Sequence, residues 1–199
     1  MYAFLKGIIE EKNNDCVMLD VNGVGYLILT TRFTIDNIGD IGHSVKILTY
    51  LYIREDIMSL YGFLTKEEKN MFEKLISVSG IGPKGAMGIL STLNAAQLAI
   101  AIVTSNISSL IGVPGIGRKT AQRLVLELKE KIMKEDSSLS SDSSMYVKND
   151  SISEAIHALI ALGYGRDEAD NAVITAGTDK DSVEELIKKA LRNMDKLRK

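Results

Sequence analysis

"VSGIGPKGA" at Val78–Ala86 and "VPGIGRKTA" at Val113–Ala121 are two versions of one turn. Gly80, Gly82, Lys84 and Ala86 return as Gly115, Gly117, Lys119 and Ala121, 35 residues on. Glycines in this pattern permit positive φ and carry no Cβ, so the backbone N–H groups can approach a ligand closely. A helix that follows adds free N–H groups and the positive end of its dipole, a combination suited to phosphate. Lys84, Arg118, Lys119 and, one helical turn further on, Arg123 place side-chain charge beside it. Ile81 and Ile116, between the glycines, are expected to point inward. A single such turn more often just joins two helices. Two in register, each with its lysine and alanine, favour phosphate binding, and contacts of this kind position a duplex without reading its bases.

The charge distribution supports this reading. The chain of 199 residues carries a net charge of −2, with 24 basic and 26 acidic side chains. Residues 1–62 sum to −3, residues 63–136 to +3 and residues 137–199 to −2. The only positive segment holds both glycine turns, and local field decides phosphate binding. Gly112-x-x-x-x-Gly117 before Arg118-Lys119-Thr120 nearly matches a nucleotide-binding P-loop. Arg118 intrudes before the lysine, however, and the stretch follows a predicted helix instead of a strand, which excludes an ATP site there. The single cysteine, Cys16, rules out a disulfide framework and reads as a small buried thiol. His43 in a turn and His157 in a helix have no carboxylate–histidine spacing around them, so no metal or cofactor is expected. The N-terminus lacks a signal-peptide pattern and no apolar run approaches a membrane span, so the expected location is the cytoplasm.

Outward from the turns, three segments and a linker are expected. Residues 1–63 alternate with period two at Val17, Leu19 and Val21, at Tyr26 and Ile28, and from Val45 to Ile53. Asn22-Gly23 predicts a hairpin, and Gly25 and Gly42 predict further turns. About five strands in this length predict a small barrel, most simply of the OB type. Residues 64–136 change to helical spacing. Thr65-x-x-Glu68 reads as a capping box, and helices are predicted near 84–92, 94–103, 105–111 and 118–134. Residues 137–150 open with "SSLSSDSS" and read as a flexible linker. Residues 151–199 predict three helices, begun by Ser151-x-x-Glu154, near Asp167–Ala176, and by Ser182-x-x-Glu185. The fold class is therefore multidomain α+β.

The paired turns look like tandem helix-hairpin-helix elements. Together with "MYAFLKGII" at the start, "YIREDIMSLYGF" at Tyr52–Phe63 and "ALGYGRDEA" in the tail, the whole chain resembles the RuvA family of Holliday-junction-binding proteins. The resemblance implies a homotetramer, one or two per junction, that holds four-way DNA open and planar without a catalytic site of its own. It implies a UBA-like tail (151–199) that grips a RuvB-type AAA+ motor carrying the ATPase, and a junction resolvase in the same pathway. It maps Glu55 and Asp56 onto an acidic pin at the junction centre, where carboxylates would repel converging phosphates. DNA contact is expected at Gly80, Gly82, Lys84, Gly115, Gly117, Arg118, Lys119 and Arg123. Lys129, Lys131 and Lys134 read mainly as a solvated face with room for DNA contact. Leu162 and Tyr164, flanking Gly163, are candidates for the partner-binding surface if exposed, and core residues if not.

The rival reading is an enzyme. Helix-hairpin-helix turns also serve DNA glycosylases, which need a catalytic acid after the hairpin and a pocket for the base. The first aspartate after Lys119 is Asp136, at the mouth of the linker, and Phe63 and Phe72 are the only aromatics in residues 63–136. Neither supports base excision.

Overall fold

The alternating apolar positions of the N-terminal segment lie on five strands: β1 (Phe4–Lys12), β2 (Cys16–Val21), β3 (Val24–Thr30), β4 (Ser44–Ile53) and β5 (Met58–Phe63). The computed structural model describes residues 2–137, 151–178 and 181–197. The strands close a barrel in the order β1-β2-β3-β5-β4, with every pairing antiparallel except β3 with β5. Asn22 and Gly23 both take positive φ (54° and 84°) between paired Val21 and Val24, the geometry of a type I′ hairpin turn. Gly42 also turns with positive φ, whereas Gly25 is part of β3, opposite Asp20, and makes no turn. Leu5, Ile9, Val17, Leu19, Ile28, Ile38 and Ile47 fill the interior. A Cβ at Gly62 would collide with the Ile28 and Ile47 methyls, so β5 needs a glycine to cross this core. Cys16 is half-buried, with its sulfur 3.6 Å from the Asn13 amide nitrogen.

One element escaped the sequence reading. A short helix, α1 (Arg32–Asn37), joins β3 to β4, with Thr31 as its N-cap accepting from the Thr34 amide. It is followed after β5 by α2 (Lys66–Ile76), whose Phe72 ring meets Tyr50, Tyr61 and Phe63 at centroid distances of 5.4, 5.2 and 4.9 Å. Such aromatic packing fastens α2 to β4 and β5. Thr65 caps α2 through the Glu68 amide, as expected. The Glu68 carboxylate is buried and accepts from the Thr31 and Thr34 hydroxyls instead of serving only its own helix end. Burial pushes its pKa up, and the threonine bonds and the Leu64 amide oppose that rise. α3 (Pro83–Thr92) starts on a proline, which suits the first helical position.

The chain divides into two compact units: Met1–Ser77 with Ile81–Asn94, and Val78–Gly80 with Ala95–Lys199. The second contains α4 (Ala95–Val103), α5 (Ile107–Ile111), α6 (Arg118–Ser137), α7 (Ser151–Ala161), α8 (Arg166–Ala176) and α9 (Val183–Leu197). α4 buries Leu98, Ala99, Ala101, Ile102 and Val103, positions that span its circumference, so it needs cover on more than one side. α5, α6 and α7 all lie against it. Lys129 donates to the Val103 carbonyl at 2.8 Å and closes the C-terminus of α4. In the tail, α7, α8 and α9 pack on one another, and α7 also lies on α4 and α6. Except for Ser137, the last residue of α6, the stretch expected as a linker lies outside the described residues. No single helix among the described residues is long and apolar enough to cross a membrane.

Candidate nucleic-acid interface

The repeated turns adopt matching local structure. Val78, Ile81 and Ala86 are buried, as are Val113, Ile116 and Ala121, while Gly80, Gly82, Lys84, Gly115, Gly117, Arg118 and Lys119 are exposed. The isoleucines face inward as expected, which turns the glycine backbone out. Gly80 and Gly115 hold φ of 88° and 83°, a region that favours glycine. In the second copy Ile116 N donates to the Val113 carbonyl at 3.0 Å across Pro114-Gly115, a type II turn with its preferred residues. Gly82 and Gly117 are different: neither has a positive φ, and a Cβ on either would meet nothing within 4 Å. Neither conformation nor packing within the chain requires glycine there. Bare backbone facing solvent is what remains, and that is where a ligand could come close.

Each turn leads directly into a helix. Ala86 N donates to Gly82 O at 3.0 Å and Ala121 N to Gly117 O at 2.9 Å, the first intrahelical bonds of α3 and α6. The amides before them have no intrahelical carbonyl to donate to. The copies differ in strength. Pro83 removes one donor from the first, whereas the second has Arg118 at that position and so gains both an amide and a cation. Lys84, Arg118 and Lys119 hold no hydrogen bond or ion pair among the described residues. Arg123 is committed to Glu127, with Nε 2.7 Å from Oε1, and the other carboxylate oxygen accepts from the Ser79 amide at 3.4 Å. The Arg123 hydrogen bond, with Lys131 adding its charge, holds the Glu127 carboxyl below its usual range. Sequence reasoning passed over Glu127, although its i,i+4 spacing from Arg123 was a visible signal.

Glu55 and Asp56 sit exposed at the tip of the β4–β5 hairpin, between Arg54 and Ile57, whose backbones bond each other at 2.8 and 3.4 Å. Arg54 is turned away from the pair. Its Nε donates to the Tyr52 hydroxyl at 2.9 Å and its guanidinium lies over the Tyr52 ring, and that hydrogen bond raises its pKa. The tip thus presents two carboxylates, flanked by exposed Ile53, Ile57 and Met58. Leu162 and Tyr164 are only 2% and 8% exposed, so the surface-pair reading is corrected: both side chains are buried. Among the described tail residues the exposed large apolar side chain is Ile174.

Family models match three stretches of the chain. Residues 1–62 match the RuvA N terminal domain, residues 72–130 the SAM-like helix-hairpin-helix tandem and residues 150–195 the RuvA C-terminal domain. A protein of Acetivibrio thermocellus is 46% identical over 199 residues, covering 98% of each chain. One of Ruminiclostridium cellulolyticum is 47% identical, over 98% of this chain and 100% of its own. A third, of Caldanaerobacter subterraneus, is 41% identical over 98% of this chain and all of its own. Each of the three is named Holliday junction branch migration complex subunit RuvA. With barrel, paired turns and tail all matched in order, this chain belongs to the RuvA family.

Proposed function

We propose that this chain binds four-way junction DNA without cutting it, holds the junction open and planar, and recruits a RuvB-type ATP-driven motor for branch migration. The observation that carries the reading is the pair of matched turns. In each, an exposed glycine that the protein's own packing does not need opens a helix N-terminus beside an unpaired lysine. Backbone amides at Gly80–Gly82 and Gly115–Gly117, with Lys84, Arg118, Lys119 and Arg123, would hold phosphates on either side of a minor groove. The relatives' shared name, Holliday junction branch migration complex subunit RuvA, supports the junction as target and a complex with further subunits.

Selectivity follows from assembly. A homotetramer would offer one set of turns to each arm, and four modest sites act together only when the arms diverge correctly. Exposed Phe4 and Ile8 on β1, and Val24 and Leu27 on β3, support self-association through the barrel. Glu55 and Asp56 would then meet at the centre and push the crossing strands outward. The tail, residues 151–199, is the proposed motor contact, with Ile174 the apolar point it offers. Direct binding assays with a four-way junction and a linear duplex of the same sequence test the reading. Strong preference for the junction, falling steeply with added salt, is expected. Equal affinity for both would leave only a general duplex-binding module.

A further inference from the structure

We propose that Glu127 is a positioning residue for DNA binding, holding the Ser79 amide with one carboxylate oxygen and Arg123 with the other. The inference rests on the reading of the glycine turns as DNA contacts. A carboxylate in the middle of the chain's cationic segment works against phosphate binding by charge alone, so its place there calls for a compensating role. The difference between the two turns supplies one. Where the first has Ser79, with an N–H to satisfy, the second has Pro114, which has none. Pro114 also stiffens its own turn by fixing φ. Glu127 gives the first turn the restraint that the second has covalently.

That restraint matters because Gly80, next in the chain, is the residue type that loses most conformational freedom on ordering. A turn fixed before DNA arrives leaves less entropy to be lost on binding. The Arg123 arm acts in the same direction. Glu127 takes Nε and leaves the terminal N–H groups of the guanidinium for a phosphate. The i,i+4 bond keeps that fork on the helix face where Lys119 lies one turn earlier. Lys131 also acts on the Glu127 carboxylate and lowers the repulsion it would exert on DNA.

The sign of the mutational effect decides the question. Charge alone predicts that removing Glu127 tightens DNA binding; positioning predicts that it weakens it. The full-length chain and its Glu127→Ala variant are compared for junction binding across a salt series, with amide hydrogen exchange at Ser79 as the structural readout. Glu127→Ala is expected to bind about three- to tenfold more weakly, the worth of one charge-assisted hydrogen bond at a partly exposed site. Ser79 exchange is expected to quicken, and the slope of log affinity against log salt to fall by about one as Arg123 loses its orientation. Glu127→Gln, which keeps an acceptor for Ser79 and loses the ion pair, should show a smaller loss with Ser79 still protected, and it carries the test if the alanine variant does not fold. Binding by either variant as tight as the parent's, or tighter, overturns the proposal. Absence of DNA binding by the parent chain would overturn the DNA reading and this one together, whereas an unweakened variant of a binding parent overturns this one alone.

Discussion

Gly115 and Gly117 stand two residues apart and are glycines for different reasons. Gly115 needs its residue type for the fold, because φ of 83° forces a Cβ into a strained position. Gly117 has no such φ and open space where its Cβ would be. The pair therefore separates stability from binding. Gly115→Ala is expected to cost about 1 kcal/mol, seen as a lowered melting temperature. Gly117→Ala should melt with the parent and bind junction DNA about tenfold more weakly, because a methyl group would hold a phosphate away from the amides. A Gly117→Ala protein with parental affinity would show that the turn does not approach its ligand there. The sequence already showed both glycines in register with the first copy, but assigning a separate role to each needed dihedral angles and the space around each Cα.

The strand and helix elements were largely legible because their periods are simple. Alternation at Val17, Leu19 and Val21 and the Asn22-Gly23 turn led directly to β2, β3 and the hairpin between them. α1 was not legible, since six residues show neither period clearly and its capping threonine, Thr31, adjoins the end of a strand. Glu68 was read only in part for a related reason: a capping box is a local pattern, and the partners that bury its carboxylate lie 37 and 34 residues away at Thr31 and Thr34. This tie between α1 and α2 gives the fold a pH dependence. Unfolded, Glu68 titrates near its ordinary value of 4.5, and burial raises it in the native state, which therefore holds the proton more tightly. The group's stabilising contribution is full below about pH 4.5 and is lost as pH rises through the raised value, by about 1.4 kcal/mol for each unit of difference. Glu68→Gln has no proton to lose. In urea unfolding at a series of pH values, the parent should lose stability relative to Glu68→Gln as pH rises above 4.5. Parallel profiles would mean that the carboxylate is not desolvated.

Across the whole molecule, charge sign is separated by segment, and on the proposed reading the separation would have a mechanical use. A chain of net charge −2 that binds DNA must keep its carboxylates where they do not meet the gripped phosphates, or where repulsion is useful. The β4–β5 tip fits the second description, because Arg54 is folded onto Tyr52 and does not neutralise Glu55 and Asp56. Four copies around a junction would bring four such pairs to its centre, where junction strands can turn outward into the arms beside them. A linear duplex laid across the same surface would have to run over the carboxylates, so neutralising the tip should help duplex binding at least as much as junction binding. Glu55→Gln with Asp56→Asn is therefore expected to bind both DNAs more tightly, with a reduced junction-to-duplex ratio. The effect should be largest at low salt, because at physiological ionic strength the screening length is only about 8 Å. Loss of junction preference that persists unchanged at high salt would instead make the tip a shape-reading element, with exposed Ile53, Ile57 and Met58 as its contact surface. An unaltered ratio at every salt concentration would remove the tip from junction selection and leave that task to the geometry of the paired turns.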